Sequence, residues 1–503
     1  MSKFHKTVTR RDFMKGLGLA GVGLGAAAAA GPVFHDLDEV VAAPTGIRNR
    51  PWYVKENDFK KVTSGVDWPL VERFSEVNTM RGSGNSYYDT LLTDEARGAL
   101  DDAGEATKDQ WFASGKPGYA LRDVALEDAA SAASIRNTWN NAEVSRISET
   151  KWTGTPEEAT RMMQTAGRLF GCLSVGVMEI DADTQKLLYS WEPGGREQLT
   201  WAGSEVVETD SEHRHPANAK YVISITDQES QELWKRNPTS LMTQIRYERA
   251  SQIQERFQTF LSGLGYVCLS EGGNGTGIAG AIAVMAGQGE LGRHGRTMTP
   301  EYGPTVGIFR YITDLPLAPT KPIDAGMWEF CRVCKKCAET CGGEAISYDD
   351  PTYDFTENAT PWLAGASPVD RPGAYKDASG NPELRQGGWH AAGHEMYPED
   401  SRKCRVWKLS AGTCASGRCL AVCTFTKYNE AGIHSMIKAV SATTPVFNSF
   451  FRTMDDAFGY GLRGRRHDDF SDNEVADQAQ TDWWHLDLPV YGIDSTIGAG
   501  KMS

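Results

Sequence analysis

A tight run of four cysteines is the feature of this chain whose residue types and spacing indicate chemistry most directly. The run reads Cys331-x2-Cys334-x2-Cys337-x3-Cys341. In this spacing three thiolates bind one [4Fe–4S] cluster, and the fourth usually reaches a second cluster. The run therefore predicts iron–sulfur clusters and electron transfer.

A second, irregular cysteine motif follows the first. Its members are Cys404, Cys414, Cys419 and Cys423, so that eight of the ten cysteines lie between residues 331 and 423. Cys414 precedes Cys419 by five residues where three is usual, and Ser416 occupies the regular position. Zinc is less consistent with this pattern, because zinc ligands usually come as separated pairs. Disulfides are also less consistent, since half-cystines two residues apart rarely bridge well.

The N-terminus predicts export. The segment Thr9-Arg10-Arg11-Asp12-Phe13-Met14-Lys15 has the form of a twin-arginine signal, and a weakly hydrophobic stretch from Gly16 to Gly31 follows it. Small residues at Val41-Ala42-Ala43 offer a cleavage site. The apolar stretch is too short and too rich in glycine for a transmembrane span. Residues 1–43 are therefore interpreted as a signal peptide that does not contribute to the fold.

Composition narrows the class of partner. The chain carries a net charge of −14, which disfavours nucleic acid as a partner. The roughly 460 residues after the leader are enough for two or three domains around a large core. The 14 Trp, 17 Tyr and 18 Phe are consistent with a pocket for an apolar ligand, and equally with a large core.

Local signals divide the mature chain into regions. These are an N-terminal region without an assigned function (44–150), an α/β core (151–325), an iron–sulfur region (326–430) and a C-terminal region (431–503). Thr155-Pro156-Glu157-Glu158 combines an N-cap, a proline at the first helical position and a capping-box acid. This combination predicts a helix to about Phe170, followed by a strand from Leu173 to Ile180.

A second helix is predicted from about Ser240 to Leu264, because apolar residues recur on one of its faces. Gly265 should end this helix, and Tyr266 to Leu269 then reads as a short buried strand. The glycine-rich stretch from Glu271 to Gly280 either lets the backbone approach a large flat ligand closely or forms a flexible loop.

Arg310 lies in an extended segment, Thr305 to Leu317, that is predicted to contain a buried strand. With a period of two, Arg310 shares a face with Ile308 and Ile312. A guanidinium in a buried strand needs an anionic or strongly polar partner. Arg310 is therefore either half of a structural ion pair or a functional residue.

The order of these features resembles the respiratory reductive dehalogenases of organohalide-respiring bacteria. The resemblance rests on the twin-arginine leader, the α/β block, the phrase Thr313-Asp-Leu-Pro-Leu-Ala-Pro-Thr-Lys-Pro322 and the two ferredoxin motifs. It implies an α+β or α/β fold, with a nitroreductase-like corrinoid-binding core and a ferredoxin-like domain that holds two [4Fe–4S] clusters. It also implies a cobalamin-type corrinoid without a protein ligand below the cobalt, and the DxHxxG motif of other corrinoid proteins is absent from the sequence.

The resemblance implies the reaction R–X + 2e⁻ + H⁺ → R–H + X⁻. Family members donate the proton from a tyrosine that is paired with an Arg or Lys. The cation lowers the phenol pKa from its usual value of about 10, and it stabilises negative charge that develops in the transition state. Tyr247 matches the tyrosine and Arg310 matches its cationic partner. Asn274 resembles a pocket amide that polarises the substrate, and Trp389 resembles an aromatic wall of the pocket.

Crossed ligation, as in ferredoxins, assigns the cysteines to two clusters. The first cluster takes Cys331, Cys334, Cys337 and Cys423, and the second takes Cys341 and Cys419 with two of Cys404, Cys414 and Ser416. Cys404 matches a remote cysteine that the resembled subgroup uses in its second motif. Either the loop 415–418 bulges so that Cys414 reaches iron, or the second cluster differs in nuclearity or stability. Gly417 favours the bulge. Cys172 and Cys268 are expected to be structural.

Partners and location follow from the same resemblance. The substrate is expected to be a small organohalide, with a chlorinated ethene favoured, and a respiratory partner supplies the electrons. The family works at the outer face of the cytoplasmic membrane, attached peripherally through a small membrane-anchor subunit. An exported ferredoxin-like electron carrier without a corrinoid is the main alternative, but it leaves most of the chain unexplained. Epoxyqueuosine reductase is a third possibility, against which the export signal and the acidic charge argue.

Overall fold

The computed structural model of the chain describes residues 50–73, 94–116, 119–122, 124, 151–190, 198–209, 212–234, 241–270, 276–353, 393–410, 417–427 and 432–457. The twin-arginine leader, Asn274, Trp389 and Cys414 lie outside these ranges. In the described part of the chain, no helix combines the length and the apolar character that a membrane span requires.

The described residues form a mixed set of helices and strands. The helices are α1 (Asp94–Ala113), α2 (Pro156–Phe170), α3 (Gln231–Trp234), α4 (Leu241–Leu264), α5 (Ala279–Met285), α6 (Met327–Cys334), α7 (Lys336–Glu339), α8 (Ser401–Ser410), α9 (Arg418–Ala421), α10 (Gly432–Thr443) and α11 (Asn448–Ala457). Short 3₁₀ turns cover Trp68–Leu70, Thr184–Leu187, Thr424–Thr426 and Pro445–Phe447. The strands are β1 (Lys55–Glu56), β2 (Ser174–Glu179), β3 (Gln198–Trp201), β4 (Val207–Glu208), β5 (Glu212–His215), β6 (Tyr221–Gln228), β7 (Glu290–Leu291), β8 (Thr297–Met298), β9 (Val306–Thr313) and β10 (Ile323–Asp324).

An antiparallel sheet of order β2-β6-β9 forms the centre of the core. Side chains alternate along each strand, so that Ile223 and Tyr311 pack on the side of α2 and α4. Val222 and Ile312 pack on the other side, against α5. Helices therefore cover both faces, which explains why the central strand β6 is buried almost throughout. The mixed α+β class is confirmed, with antiparallel pairing in this sheet.

The smaller sheets extend from this core. β3-β5-β4 contains the parallel pair β3–β5 and the antiparallel pair β4–β5. The antiparallel pair β1–β10 joins the N-terminal region to the segment after β9, and β7 pairs with β8 just before β9. The domain boundaries given above stay a prediction.

The start of α2 confirms the capping box that the sequence predicts. Thr155 Oγ1 accepts a hydrogen bond from Glu158 N at 3.2 Å, and Thr155 N donates to Glu158 Oε2 at 2.9 Å. Gly171 ends the helix with a φ of 103°, in the left-handed region that glycine tolerates. The strand that follows, β2, lies within the predicted range.

The long helix α4 is also confirmed, and Gly265 ends it with a φ of 90°. The short strand predicted from Tyr266 to Leu269 is wrong except at its last residue, where Leu269 alone bridges to Ile312. The donors of this segment are satisfied differently. Tyr266 N donates to Leu261 O at 2.9 Å, and Val267 N donates to Asp314 Oδ1 at 2.8 Å. The helix end and one carboxylate therefore replace a strand ladder.

A single carboxylate joins the core to the cysteine-bearing helices. Glu290 in β7 is fully buried, and its Oε2 accepts hydrogen bonds from Ala325 N at 2.9 Å and Met327 N at 3.0 Å. Met327 is the first residue of α6, where backbone N–H groups lack partners within the helix, and Ala325 lies two residues before it. Burial raises the pKa of Glu290 to about 7, although the two donors lower it. The carboxylate thus fixes the start of the first cysteine motif.

Candidate active site and cysteine clusters

Tyr247 lies in the second turn of α4 and is partly buried against the core. Ile253, Phe257 and Leu261 are completely buried or nearly so on the core face of α4. This apolar face fixes how the helix is rotated, and therefore where Tyr247 lies. Thr243, one helical turn earlier, is buried as well.

Arg310 lies in β9 as predicted, and only 1% of its surface is exposed. It is paired with Ser224 of β6, and its carbonyl oxygen accepts a hydrogen bond from Ser270 Oγ at 3.3 Å. Its strand neighbours Phe309 and Tyr311 belong to the core against which Tyr247 packs. Because side chains alternate along β9, the side chain of Arg310 lies on the other face of the sheet, with Ile312. Tyr247 and Arg310 come from neighbouring elements, α4 and β9. Their functional pairing stays a prediction, as do the roles of Asn274 and Trp389.

Arg246 is a functional candidate that the sequence interpretation missed. Its guanidinium carbon lies 4.6 Å from the centroid of the Tyr247 ring. Its Nη1 lies 3.1 Å from Oε1 of Glu229, which is fully buried. The other oxygen of Glu229, Oε2, accepts a hydrogen bond from Trp234 Nε1 at 2.7 Å. Glu229 and Arg246 are separated by 17 positions and by helix α3, so no local pattern could have indicated the pair.

The electrostatics of this pair depend on burial and on mutual attraction. Burial raises the pKa of Glu229, and the charge of Arg246 opposes that rise. Burial alone would lower the pKa of Arg246, but the charges of Glu229 and Tyr247 outweigh it and raise the pKa. The guanidinium therefore remains charged beside the tyrosine.

Several buried polar atoms lie close to Tyr247 in the chain or in the fold. Gln228 Nε2, Thr243 Oγ1 and Arg246 Nε have no hydrogen-bonding partner among the described residues. A buried polar group without a partner costs about 1–3 kcal/mol, so a ligand that supplied polar partners to these atoms would remove that cost. The amide side chains and carbonyl groups of a corrinoid have this chemistry.

Four cysteine thiols come together around the first motif. Cys331 and Cys334 lie on α6, Cys337 lies on α7, and Cys423 comes from the second motif. Burial raises the pKa of the Cys337 thiol, and the charges of Cys331, Cys334, Cys419 and Cys423 raise it further. Cys337 therefore also lies near Cys419, which the sequence assigns to the second cluster. Burial and Cys334 raise the pKa of Cys423 to about 11. Lys335 separates the two helices with a φ of 54°, and this left-handed residue turns α7 away from the axis of α6.

A second group contains Cys341, Cys419 and the remote Cys404. Burial raises the pKa of Cys341 to about 11, with Cys404 adding to the shift. Burial raises the pKa of Cys419 to about 12, Arg296 lowers it, and the charges of Cys404 and Cys341 raise it. The remote Cys404 on α8 is therefore a neighbour of the other two. Its role as a ligand stays a prediction. Cys172 and Cys268 are buried in the core, apart from both groups, as expected of structural cysteines.

Both groups consist of thiols that come from two separate motifs. A single zinc ion would need four donors about 2.0–2.3 Å from one point, whereas a cluster spreads its thiolate ligands over several irons. A buried thiol with a raised pKa stays protonated until metal binding deprotonates it. The assignment of the two groups to iron–sulfur clusters stays a prediction.

The last helix, α11, clamps the first cysteine group. Arg452 Nε donates to the carbonyl oxygen of Cys334 at 2.6 Å. Asp455 forms ion pairs with both Lys336 and Lys427, and all three side chains are at least nine-tenths buried. Thr424 Oγ1 also donates to Asp455 Oδ2 at 3.4 Å. A buried network therefore links α11 to the residues that flank the cysteines of both motifs.

Comparison with known proteins first defines the class. A family model described as reductive dehalogenase subunit matches residues 205–317, a range that contains Tyr247 and Arg310. A solved catabolic reductive dehalogenase, in complex with 3-bromo-4-hydroxybenzoic acid, aligns with a TM-score of 0.53 at 18% identity and covers 82% of this chain. A second solved reductive dehalogenase, for which a mechanism of B12-dependent dehalogenation is suggested, aligns with the same TM-score and identity over 83% of this chain. This chain spans about half of each solved chain (50%), and the likeness shows the fold.

Two curated relatives from Dehalococcoides mccartyi align from end to end. A trichloroethene reductive dehalogenase of strain 195 is 29% identical over 98% of this chain and 99% of its own length. A chloroethene reductive dehalogenase of strain VS is 30% identical over the same shares. This chain belongs to the reductive dehalogenase family, whose members are oxidoreductases that act on carbon–halogen bonds. End-to-end similarity to enzymes disfavours the alternative of an electron carrier alone.

Proposed function

We propose that this protein replaces a halogen by hydrogen on a small organohalide, with a chlorinated ethene as the favoured substrate, in the terminal step of anaerobic respiration. The observation that carries the proposal is the end-to-end similarity to trichloroethene and chloroethene reductive dehalogenases. The site around Tyr247 is consistent with this chemistry, because it offers a proton donor beside a partly buried cation.

We infer two [4Fe–4S] clusters and a corrinoid as cofactors. When bound, the corrinoid supplies the electrons that break the carbon–halogen bond, and the clusters conduct electrons to it. The first cluster would be held by Cys331, Cys334, Cys337 and Cys423. The second would be held by Cys341, Cys404, Cys414 and Cys419. The grouped thiols and the unpaired polar atoms of Gln228, Thr243 and Arg246 support these assignments, as does the B12-dependent mechanism suggested for a solved protein of the same fold.

The finer architecture follows from the same assignment. The three-stranded sheet with its flanking helices would be the nitroreductase-like, corrinoid-binding core. The segment from α6 to α9 would be the ferredoxin-like domain, in which short helices present cysteines from two separate motifs. Both assignments are supported by the order of the elements and by the grouping of the thiols.

The side chains of the site have separate tasks in this proposal. Tyr247 donates a proton from its hydroxyl to the carbon that loses the halide, which leaves a phenolate. Arg310 stabilises that phenolate and the charge that develops on the substrate. Asn274 polarises the substrate, and Trp389 forms an apolar wall of the pocket. The burial of Arg310 strengthens its electrostatic interactions, because little water screens them.

We also propose that the protein is exported and works at the outer face of the cytoplasmic membrane, where a small anchor subunit holds it and a respiratory partner supplies electrons. The twin-arginine leader supports export. Fractionation of cells that express the protein with and without the anchor checks this location. Recovery in the soluble fraction in the presence of the anchor would contradict it.

Anaerobic reconstitution with cobalamin, iron and sulfide tests the proposed reaction. We expect one cobalt and about eight irons per chain, with halide release from trichloroethene and reduced methyl viologen. Tyr247→Phe should abolish halide release while both metals remain bound. Tyr221→Phe is the matched control, because Tyr221 is also partly buried but lies at the far end of β6. Iron without cobalt, and no halide from any chlorinated ethene, would leave an electron carrier.

A further inference from the structure

We infer that Arg246 is a second cation acting on Tyr247, and that Glu229 tunes the strength of its action. This inference rests on the proposed role of Tyr247 as proton donor. It assigns a positioning function to two residues, the arginine next to the tyrosine in the chain and the carboxylate that holds it.

The contact between Arg246 and Tyr247 requires an external constraint. Consecutive residues of a helix point in different directions and do not normally face each other. Even so, the guanidinium carbon lies 4.6 Å from the Tyr247 ring centroid, within the usual range of a cation–π interaction. A hydrogen bond from the guanidinium to the Tyr247 side chain also contributes to the raised pKa of Arg246. The arginine must therefore be drawn out of its ordinary direction and held.

Glu229 provides that constraint, and Glu229 is itself fixed. Its backbone N–H donates to Thr305 O at 3.0 Å, immediately before β9. Its carboxylate is shared between Trp234 Nε1 at 2.7 Å and Arg246 Nη1 at 3.1 Å. A fully buried carboxylate with two charged or polar donors has little freedom to move, so it sets the position of the guanidinium.

The aliphatic part of the Arg246 side chain packs on β9 at Gly307. A Cβ atom at Gly307 would lie 3.0 Å from both Cγ and Cδ of Arg246. The stem therefore packs directly on bare backbone at Gly307, where a side chain would displace it. Together with the ion pair to Glu229, this packing makes Arg246 part of a built site.

A second arginine on α4 shows that the arrangement is specific. Arg249, one turn further along, has its own carboxylate, because its Nη2 lies 2.6 Å from Asp227 Oδ1. Its Nη1 donates to Gln228 O at 3.0 Å. Each arginine thus pairs with a different buried acid at the end of β6. Arg249 offers a matched control for the loss of a buried ion pair on the same helix.

Arg246 and Glu229 should shift the pKa of Tyr247 in opposite directions. A cation close to a phenol favours the phenolate, so Arg246 lowers the pKa of the tyrosine and stabilises the anion that remains after proton donation. The negative charge of Glu229 weakens this effect. Removal of Arg246 should therefore make Tyr247 a weaker acid, whereas removal of the charge on Glu229 should make it a stronger acid. A purely structural role would not separate the two variants in this way.

The test compares pH profiles of the cobalamin- and cluster-loaded enzyme. We expect Arg246→Gln to move the alkaline limb of kcat/KM for trichloroethene up by about 1 pH unit, and Glu229→Gln to move it down. Arg246→Lys, which keeps the charge, should restore most of the wild-type profile, and Arg249→Gln should leave the limb in place. Ultraviolet titration of tyrosinate, with Tyr247→Phe subtracted, should show the same opposite shifts without reference to turnover.

The outcomes separate this inference from the proposed reaction. If Tyr247→Phe keeps its halide release, the proton donor of the proposed function is wrong. If Tyr247→Phe is inactive but Arg246→Gln and Glu229→Gln leave the limb where it is, the reaction stands and the inference is overturned. Shifts of both variants in the same direction would also overturn it, because they would indicate a general disturbance of the site.

Discussion

Substitution of Asp455 by Asn should loosen the clamp between α11 and the first cysteine group. Asp455 lies between the ammonium groups of Lys336 and Lys427, and the exposed fractions of the three side chains are 5%, 4% and 8%. Asparagine fills nearly the same volume but leaves two buried cations facing each other without their shared anion. Lys336 keeps its ion pair with the exposed Asp456, at 3.2 Å. The perturbation is therefore electrostatic rather than steric.

The magnitude follows from the burial of the group. Removing one partner of a buried ion pair costs about 3–5 kcal/mol, because the remaining charge stays buried without compensation. A loss of about 3 kcal/mol changes an opening equilibrium more than a hundredfold. Since the residues that pair with Asp455 flank Cys337 and Cys423, we expect the first cluster to be lost much faster from the variant than from the wild-type protein.

The assay is the rate of iron loss from the loaded protein to a chelator under anaerobic conditions, together with urea unfolding. Asp456→Asn is the matched control, because the neighbouring carboxylate is 51% exposed and such surface pairs contribute about 0–1 kcal/mol. Equal rates of iron loss for the two variants would refute the reasoning, since the argument depends on the difference in burial.

Three further predictions follow from single contacts. Cys404→Ala should reduce bound iron from about eight to about four per chain, or convert the second cluster to a form with fewer irons. The control Cys172→Ala should keep all of the iron. Iron analysis and electron paramagnetic resonance distinguish these outcomes. The folded-state pKa of Glu290 is raised to about 7, so its contribution to stability is present below the ordinary glutamate pKa of about 4.3 and is lost as the pH rises through 7. Urea unfolding between pH 5 and 8 should show a smaller decline in the free energy of unfolding for Glu290→Gln than for the wild-type protein. An identical decline would contradict the assignment. Thr155→Ala should lower the free energy of unfolding by about 1 kcal/mol through loss of the N-cap, measured by the same unfolding experiment, and a change below the error of that experiment would count against it.

Local signals in the sequence predicted the elements that depend on nearby residues. The start of α2 was readable because its capping box needs only four consecutive positions, and the end of α4 was readable because Gly265 takes a positive φ. The buried strand around Arg310 was readable from its apolar neighbours. The strand at Tyr266 failed for a physical reason, since Asp314 and the end of α4 take the hydrogen bonds that a ladder would need.

The site was predictable only in part. The roles of Tyr247 and Arg310 were predicted from the resemblance to a family, and the cysteine ligands were predicted mainly from their spacing. The contact of Arg246 with Glu229 depends on how α4 packs over the end of β6, which no window of sequence contains. The proximity of Cys404 to Cys341 has the same origin, because the two residues are brought together by the fold rather than by a motif.

The origin of the thiols in the first group has a consequence beyond electron transfer. Cys337 and Cys423 lie roughly 90 residues apart, and a cluster bound by both would close that length of chain into a loop. By analogy with a disulfide, such a covalent cross-link removes about 4–5 kcal/mol of chain entropy from the unfolded state. The cluster would then stabilise the folded state as well as conduct electrons. If the twin-arginine leader exports the chain, the cluster would have to be inserted before export, because the cross-link stabilises the folded form only once the cluster is bound.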